Sequence, residues 1–145
     1  MNFSKPASHI IAQYYQLIRL GRSGYTSIMK NLTRTADYLT SQLREMGFVI
    51  MSEGGGRGLP VVAFRLGSTQ KAFLDEWALA RKLRERGWIV PAYTMAADCE
   101  TMGMMRVVVR TDFSMGRCMS LVQDVRDSLG ALAGLEIQNI QRYQA

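Results

Sequence analysis

Glycines divide this sequence into segments, and the spacing of the apolar residues in each segment constrains its secondary structure. The first segment lies between Pro6 and Gly21 and carries apolar residues at spacings of three and four: Ile10, Ile11, Tyr14, Leu17 and Ile18. Such spacing places these side chains on one face of a helix. Residues 25–46 keep the same rhythm up to Gly47, and glycine suits the left-handed conformation that ends many helices. The sequence therefore predicts two consecutive helices at the start of the chain.

Shorter apolar runs after Gly47 indicate strands. The segments "FVIMS" at 48–52 and "VVAFRL" at 61–66 are joined by "GGGRGLP". This connection lacks the glycine spacing and the following helix of a phosphate-binding loop, so it is interpreted as a hairpin loop. Pro91 interrupts "WIVPAYT" at 88–94, and this segment is predicted at a sheet edge because a central strand tolerates proline poorly. Helical spacing returns before Gly87 and again before Gly134, and each of these glycines is expected to end a helix.

The stretch "MGMMRVVVRTDF" at 102–113 contains a β-branched apolar run between Arg106 and Arg110. Because side chains alternate along a strand, the two arginines share one face with Val108, and the opposite face is apolar. The arginine face can simply meet water, as one side of many antiparallel sheets does. Arg106 can instead bind a carboxylate or a phosphate, because guanidinium offers parallel donors and keeps its charge. The local sequence does not decide between these alternatives.

The predicted order is helix, helix, strand, strand, helix, short strand, strand, helix. This order indicates the α+β class, with two N-terminal helices followed by a small, mostly antiparallel sheet that helices cover. A chain of 145 residues is long enough for one such domain. We predict a single domain over residues 1–134, with the N-terminal helices in 1–46 and the sheet and its covering helices in 47–134. Residues 135–145 are predicted to form a C-terminal tail.

The charge balance permits nucleic-acid binding but does not favour it. The chain carries 18 lysines and arginines against 12 acidic residues, which gives a formal net charge of +6. These cations are dispersed, and the strands lack the aromatic pattern of an RNA-binding sheet, so solvated helix faces explain the charge better. We expect a cytoplasmic protein without a leader or a membrane span. Cys99 and Cys118 are expected to remain reduced thiols, because they follow neither a disulfide framework nor a zinc motif.

The residue types do not form a complete catalytic set. His9 stands alone near the start of a helix, where a surface or capping role is favoured over that of a base. The cysteines have no histidine at a spacing typical of nucleophilic catalysis, and the acidic residues show no metal-ligand spacing. No catalytic residue and no metal site are therefore predicted.

Three blocks of sequence carry a family resemblance. They are "NFSKPASHIIAQYYQLIRLGRSGY" from Asn2, "RERGWIVPAYT" from Arg84 and "MRVVVR" from Met105. The blocks resemble the C-terminal portion of glutamate decarboxylases, which are pyridoxal-phosphate enzymes of the aspartate-aminotransferase fold type. The resemblance spans roughly residues 2–133 and implies a small C-terminal domain that packs against a large cofactor-binding domain.

The resemblance implies roles for two residues. Arg106 matches the arginine that binds the substrate α-carboxylate, and Ser4 matches the serine whose hydroxyl reaches the cofactor phosphate of the neighbouring subunit. The family's Schiff-base lysine lies upstream of the first block, in a Ser-x-His-Lys context that no lysine of this chain shares. The lysines present are Lys5, Lys30, Lys71 and Lys82. We therefore expect the chain alone to bind no pyridoxal phosphate and to be inactive.

Two interpretations follow from this resemblance. In the first, the chain is a domain or fragment of a glutamate decarboxylase, which converts L-glutamate to 4-aminobutanoate and carbon dioxide. Its partner is then the large cofactor-binding domain or subunit, and the assembly is expected to be a homo-oligomer with neither nucleic acid nor membrane as partner. In the second, the chain is a freestanding module that self-associates through the surface that once faced the large domain.

Overall fold

A computed structural model describes residues 6–55, 57–71 and 74–143, with the surroundings of side chains given as far as Gly134. Its first helix, α1, spans Ser8–Glu45 and is interrupted at Gly21, where the backbone adopts φ 56° and ψ −171°. The predicted boundary between two helices is present as this break, although no separate loop divides the halves. Gly47 follows the end of α1 with φ 88°, as predicted for a glycine that ends a helix.

Two further helices follow the first hairpin. Helix α2 is a single turn over Ser68–Lys71, which the sequence analysis missed, and α3 spans Glu76–Glu85. Helix α3 begins at Glu76 because the Asp75 carboxylate caps it, accepting the backbone N–H of Ala78 at 2.6 Å. Gly87 follows its end with φ 86°, which agrees with the predicted stop.

The last helix is longer than predicted. Helix α4 spans Met115–Tyr143, so Gly134 lies inside it and does not end it. One glycine raises the free energy of a helix by only about 1 kcal/mol relative to alanine, and "LEIQNIQRY" after it contains mostly residues that tolerate a helix. A glycine without a second stop signal was therefore insufficient grounds for predicting a helix end.

Within the described residues, four short strands form one antiparallel sheet in the order β1-β2-β4-β3. The strands are β1 (Val49–Ile50), β2 (Val61–Arg65), β3 (Ala92–Thr94) and β4 (Gly103–Val108). The pairing of β1 with β2 confirms the predicted hairpin, and β3 lies at an edge, as the position of Pro91 indicated. The α+β class and the mostly antiparallel sheet are thus confirmed.

Helices pack on one face of this sheet. Helix α1 contacts β1 and β2, α3 contacts β3 and β4, and α4 contacts both α1 and α3. The core between sheet and helices includes Leu39, Leu83 and Val125 from the helices and Phe64 and Met105 from the strands. The opposite side, which we call the open face, carries exposed or half-buried residues that include Ala63, Arg65, Arg106 and Val108. The predicted division of β4 into an arginine face and an apolar face is therefore confirmed.

None of the described helices is long and apolar enough to cross a membrane. Cys118 is buried and Cys99 is exposed, and both are free thiols. Burial raises the pKa of the Cys118 thiol from its ordinary 9.0 to about 11, because the thiolate would lose its hydration.

Candidate functional site: an arginine-lined cavity beside strand β4

The site lies beside β4, where its pairing with β3 stops. Strand β3 begins at Ala92, which pairs with Met105 of β4. Pro91, the residue before it, lacks the backbone N–H that a longer ladder would need. Strand β4 continues to Val108 along β2, so its other edge lacks a neighbouring strand from Arg106 onward. A cavity of about 430 Å³ lies between this part of β4, residues 87–91 and the start of α4. We call it the arginine cavity because Arg106, Arg110 and Arg117 line it.

Arg106 is exposed on the open face, and its guanidinium carbon lies 5.7 Å from the centroid of the Tyr93 ring. This contact follows from the register, because Tyr93 pairs with Met104 and so lies beside Arg106 on the same face of the sheet. An arginine over an aromatic ring keeps its in-plane N–H groups available to an anion. No hydrogen bond or ion pair from another described residue occupies the Arg106 guanidinium. The guanidinium of Arg106 is therefore exposed and engaged only by the Tyr93 ring among the described residues, and its binding of a substrate carboxylate stays a prediction.

Arg117 repeats this arrangement at the start of α4. Its guanidinium carbon lies 5.9 Å from the centroid of the Trp88 ring, and its Nη1 donates to the backbone oxygen of Asp112 at 3.4 Å. The Trp88 ring also meets the ring of Phe113 edge to face, with 6.3 Å between centroids. The sequence analysis did not identify Arg117, because nothing in the spacing indicates that positions 88 and 117 meet.

Asp124 holds the loop that carries Trp88. Its carboxylate accepts the indole N–H of Trp88 at 2.7 Å and a guanidinium N–H of Arg86 at 2.8 Å. Both donors precede β3, so one acidic residue of α4 fixes the segment that forms a wall of the cavity. Arg86 also lies 3.6 Å from Asp127, which leaves both acids engaged away from the cavity.

The remaining predicted residues lie elsewhere. His9 is exposed near the start of α1, as expected of a surface residue. Ser4 lies outside the described residues, so its predicted contact with a cofactor phosphate stays a prediction. Among the described residues, no group of three or more histidine, cysteine, aspartate or glutamate side chains could hold a metal ion.

Comparison with known proteins identifies relatives among glutamate decarboxylases. The chain is 47% identical over 133 residues to a glutamate decarboxylase of Solanum lycopersicum and 44% identical over 136 residues to glutamate decarboxylase 5 of Arabidopsis thaliana. These matches cover 91% and 93% of this chain but only 26% and 27% of the relatives. The chain thus spans about a quarter of the length of the relatives that it matches. No protein-family model matches it.

A solved structure supports the same relationship. The glutamate decarboxylase of Lactobacillus brevis CGMCC 1306 superposes with a TM-score of 0.82 at 31% identity, covering 91% of this chain and 30% of that one. The order of elements, the antiparallel sheet and the helices on one face are therefore those of a portion of that enzyme. The resemblance noted in the sequence is confirmed.

The described residues do not by themselves fit pyridoxal phosphate, the cofactor that the resemblance implies. A lysine that forms an imine requires an amine removed from water and from competing acids. Lys30 is exposed, Lys71 lies 3.8 Å from Glu76, and Lys82 lies 2.7 Å from Glu85. None of these three lysines lines the arginine cavity.

Proposed function

Because the chain is related in sequence and fold to the C-terminal portion of glutamate decarboxylases, we propose that it acts as that domain in an enzyme that decarboxylates L-glutamate. In this proposal the chain contributes Arg106 to the substrate and Ser4 to the cofactor phosphate, and it is inactive alone. The enzyme is cytoplasmic and homo-oligomeric, and free thiols at Cys99 and Cys118 are compatible with a reducing compartment. Pyridoxal phosphate, held by the remaining part of the enzyme, supplies the electron sink for the departing carboxylate.

The observation that carries the proposal is the state of Arg106. Its guanidinium lies on the open face, is supported by Tyr93, and has no carboxylate partner among the described residues. A carboxylate bound by both N–H groups would be fixed in direction as well as in place. Fixing its direction decides which bond of the substrate is aligned for cleavage, so Arg106 acts by orientation as well as by affinity.

Exposed apolar surfaces are an argument that a large partner domain covers this chain. Six apolar residues on the first half of α1 are each more than half exposed: Ile10, Ile11, Tyr14, Tyr15, Leu17 and Ile18. The open face adds Val108, which is 49% exposed beside Arg106. Apolar patches of this kind are typical of protein contacts. About three quarters of the relatives' length has no counterpart in this chain, and in our proposal that part covers these surfaces.

A chimeric enzyme tests the proposal. This chain would replace the matching quarter of the Solanum lycopersicum relative, and release of carbon dioxide from L-glutamate would be measured with added pyridoxal phosphate. We expect an active chimera, in which Arg106→Ala abolishes turnover and Arg106→Lys retains charge but raises KM because the planar fork is lost. Arg34→Gln, an exposed arginine on α1, is the matched control and should retain activity. Full activity of the Arg106→Ala chimera would remove Arg106 from the mechanism.

The predicted inactivity of the chain alone has a separate test. The purified chain would be incubated with pyridoxal phosphate, reduced with borohydride and weighed by intact mass spectrometry. We expect no stoichiometric adduct. A single adduct on one lysine would show that this chain has its own imine-forming site, contrary to the proposal.

The exposed apolar residues of α1 also favour a second candidate, self-association without a cofactor domain. In that case light scattering would show a stable homo-oligomer of the chain alone, and Leu17→Glu would convert it to a monomer. A monomer in the unaltered protein would exclude this candidate at the concentrations measured.

A further inference from the structure

Arg106 and Arg117 both line the arginine cavity. Arg106 lies over the ring of Tyr93 in β3, and Arg117 lies over the ring of Trp88 before β3. Neither guanidinium has a carboxylate partner among the described residues. A cation–π contact at this distance leaves the edge of the guanidinium free to meet an oxyanion. Both guanidinium groups are therefore available to bind anions, because no ion pair among the described residues engages them.

The nearby acids leave the cavity with a positive charge. Asp124 and Asp127 are engaged by Arg86, and Asp124 also accepts the Trp88 indole. Asp112 is the acidic residue that lines the cavity, and its carboxylate lies 3.5 Å from Nε of Arg110 with both side chains largely exposed. An exposed pair of this kind contributes little and gives way to a better partner. Three arginines thus face one acid.

The walls and size of the cavity suit a small molecule. Trp88, Phe113 and Leu121 form apolar walls, and a volume of about 430 Å³ falls within the range of roughly 300–1,000 Å³ typical of ligand pockets. A monovalent anion would pair with one guanidinium and leave the other arginines of the cavity without an anionic ligand. A ligand with two or more negative charges would satisfy several at once.

We propose that the arginine cavity binds a small multivalent oxyanion other than the substrate, anchored by Arg117 on Trp88 and reaching Arg106. The shared chemistry is that of clustered carboxylate or phosphate groups. Binding by the isolated chain does not require the cofactor domain. In the assembled enzyme such an anion would compete with the substrate carboxylate for Arg106, a consequence that rests on the proposed decarboxylase function.

Isothermal titration of the full 145-residue chain tests this proposal, with citrate, pyrophosphate and acetate at matched ionic strength. We expect saturable binding of citrate or pyrophosphate, at least about tenfold tighter than that of acetate, because a second charge-assisted contact contributes on this scale. Binding of citrate alone assigns the site to carboxylates, and binding of pyrophosphate alone assigns it to phosphates. Absence of saturable binding for both multivalent anions overturns the proposal.

Variants with the same loss of charge separate a defined site from the overall positive charge. Arg117→Gln should weaken binding about tenfold or more, whereas Arg34→Gln, which does not line the cavity, should change it less than about twofold. Equal losses in the two variants would assign the binding to net charge and overturn the proposal. Circular dichroism would establish that both variants are folded.

A spectroscopic measurement remains informative if Arg117→Gln fails to fold. The chain contains two tryptophans, so Trp77→Phe leaves Trp88 as the single indole. We expect the multivalent anion to change the emission of Trp88 with the same midpoint as the titration, because Arg117 lies on that ring. Unchanged emission at saturation would show that the anion binds elsewhere. These binding tests and the decarboxylation of the chimera fail independently of each other.

Discussion

The two halves of α1 have the same spacing of apolar residues but opposite surroundings. After Gly21, Leu39 and Leu43 are each 1% exposed and pack against the sheet and α4. Before Gly21, Ile10 is 70% exposed and Leu17 is 59% exposed. We call residues 8–20 the α1 arm. Helical periodicity therefore identifies a face that favours burial, but it does not tell whether the residues that bury it belong to the same chain.

The largest expected effect separates the two halves directly. Leu39→Ala should destabilise the chain by about 2–5 kcal/mol, because it removes buried methyl groups and leaves a cavity. The same substitution in the arm, Leu17→Ala, should change the free energy of unfolding by less than about 0.5 kcal/mol. Urea unfolding of both variants measures the difference. Comparable losses would mean that the arm is covered in solution, as self-association requires.

A Cβ atom added at a glycine should destabilise the chain where the glycine is tightly packed and should not do so where it is open. A Cβ at Gly103 would lie 2.7 Å from Oε2 of Glu76 and 3.0 Å from Trp77. Glu76 is buried, and its carboxylate accepts the backbone N–H of Leu66 at 3.1 Å, so it has little freedom to move. Gly103→Ala should therefore destabilise the chain by about 1–3 kcal/mol.

The matched change is Gly130→Ala in α4, where nothing lies within 4 Å of an added Cβ. This variant should be more stable by up to about 1 kcal/mol, because alanine favours a helix over glycine. Thermal unfolding of the two proteins gives the comparison. A stable Gly103→Ala protein would show that the start of β4 is more loosely packed than described.

Alkaline pH should lower the free energy of unfolding through Cys118, which packs against the second half of α1. Cys118 is buried there, with its Sγ 3.8 Å from the backbone oxygen of Thr35, and burial raises the pKa of its thiol to about 11. The unfolded chain releases this proton near pH 9, whereas the folded chain retains it. Its contribution to stability is thus complete below pH 9 and is lost as the pH rises to about 11.

The Cys118 contribution amounts to about 1–3 kcal/mol, since each pKa unit corresponds to 1.36 kcal/mol. Urea unfolding between pH 8 and 11 would be compared for the unaltered protein and Cys118→Ala. The alanine protein is less stable at pH 8, but its stability should fall less steeply with pH. Parallel pH profiles would contradict the assignment to Cys118.

The sequence predicted features that local chemistry determines. Alternation in β4 predicted which face carries Arg106, Pro91 predicted an edge strand, and Gly47 and Gly87 marked helix ends because positive φ favours glycine there. The role proposed for Arg106 comes from the family resemblance and not from its position in the strand.

Features that depend on distant contacts could not be predicted. The meeting of Trp88 with Arg117 and Asp124 requires a fold that brings α4 against the segment before β3. The prediction that Gly134 ends α4 was wrong because glycine alone opposes a helix only weakly. Local spacing also gave no sign that the α1 arm, unlike the second half of the same helix, is left uncovered.

A further small effect on stability is expected at the break itself. Gly21 combines φ 56° with ψ −171°, a region that residues with a Cβ rarely occupy. Because the arm has few contacts that hold it, Gly21→Ala can relieve the strain by adopting helical angles and straightening α1. The free energy of unfolding should change by less than about 1 kcal/mol.

The direction of the arm should nevertheless change. A straight helix of 38 residues is about 57 Å long, so X-ray scattering of the Gly21→Ala chain should show a greater maximum dimension. Gly130→Ala in α4, where nothing lies within 4 Å of an added Cβ, is the control and should scatter like the unaltered protein. In the chimera, Gly21→Ala should lower activity, because we propose that the arm contacts the cofactor-binding domain and the variant would redirect it. Unchanged scattering together with a large loss of stability would mean that contacts within this chain hold the break, and the arm would then resemble the second half of α1 after all.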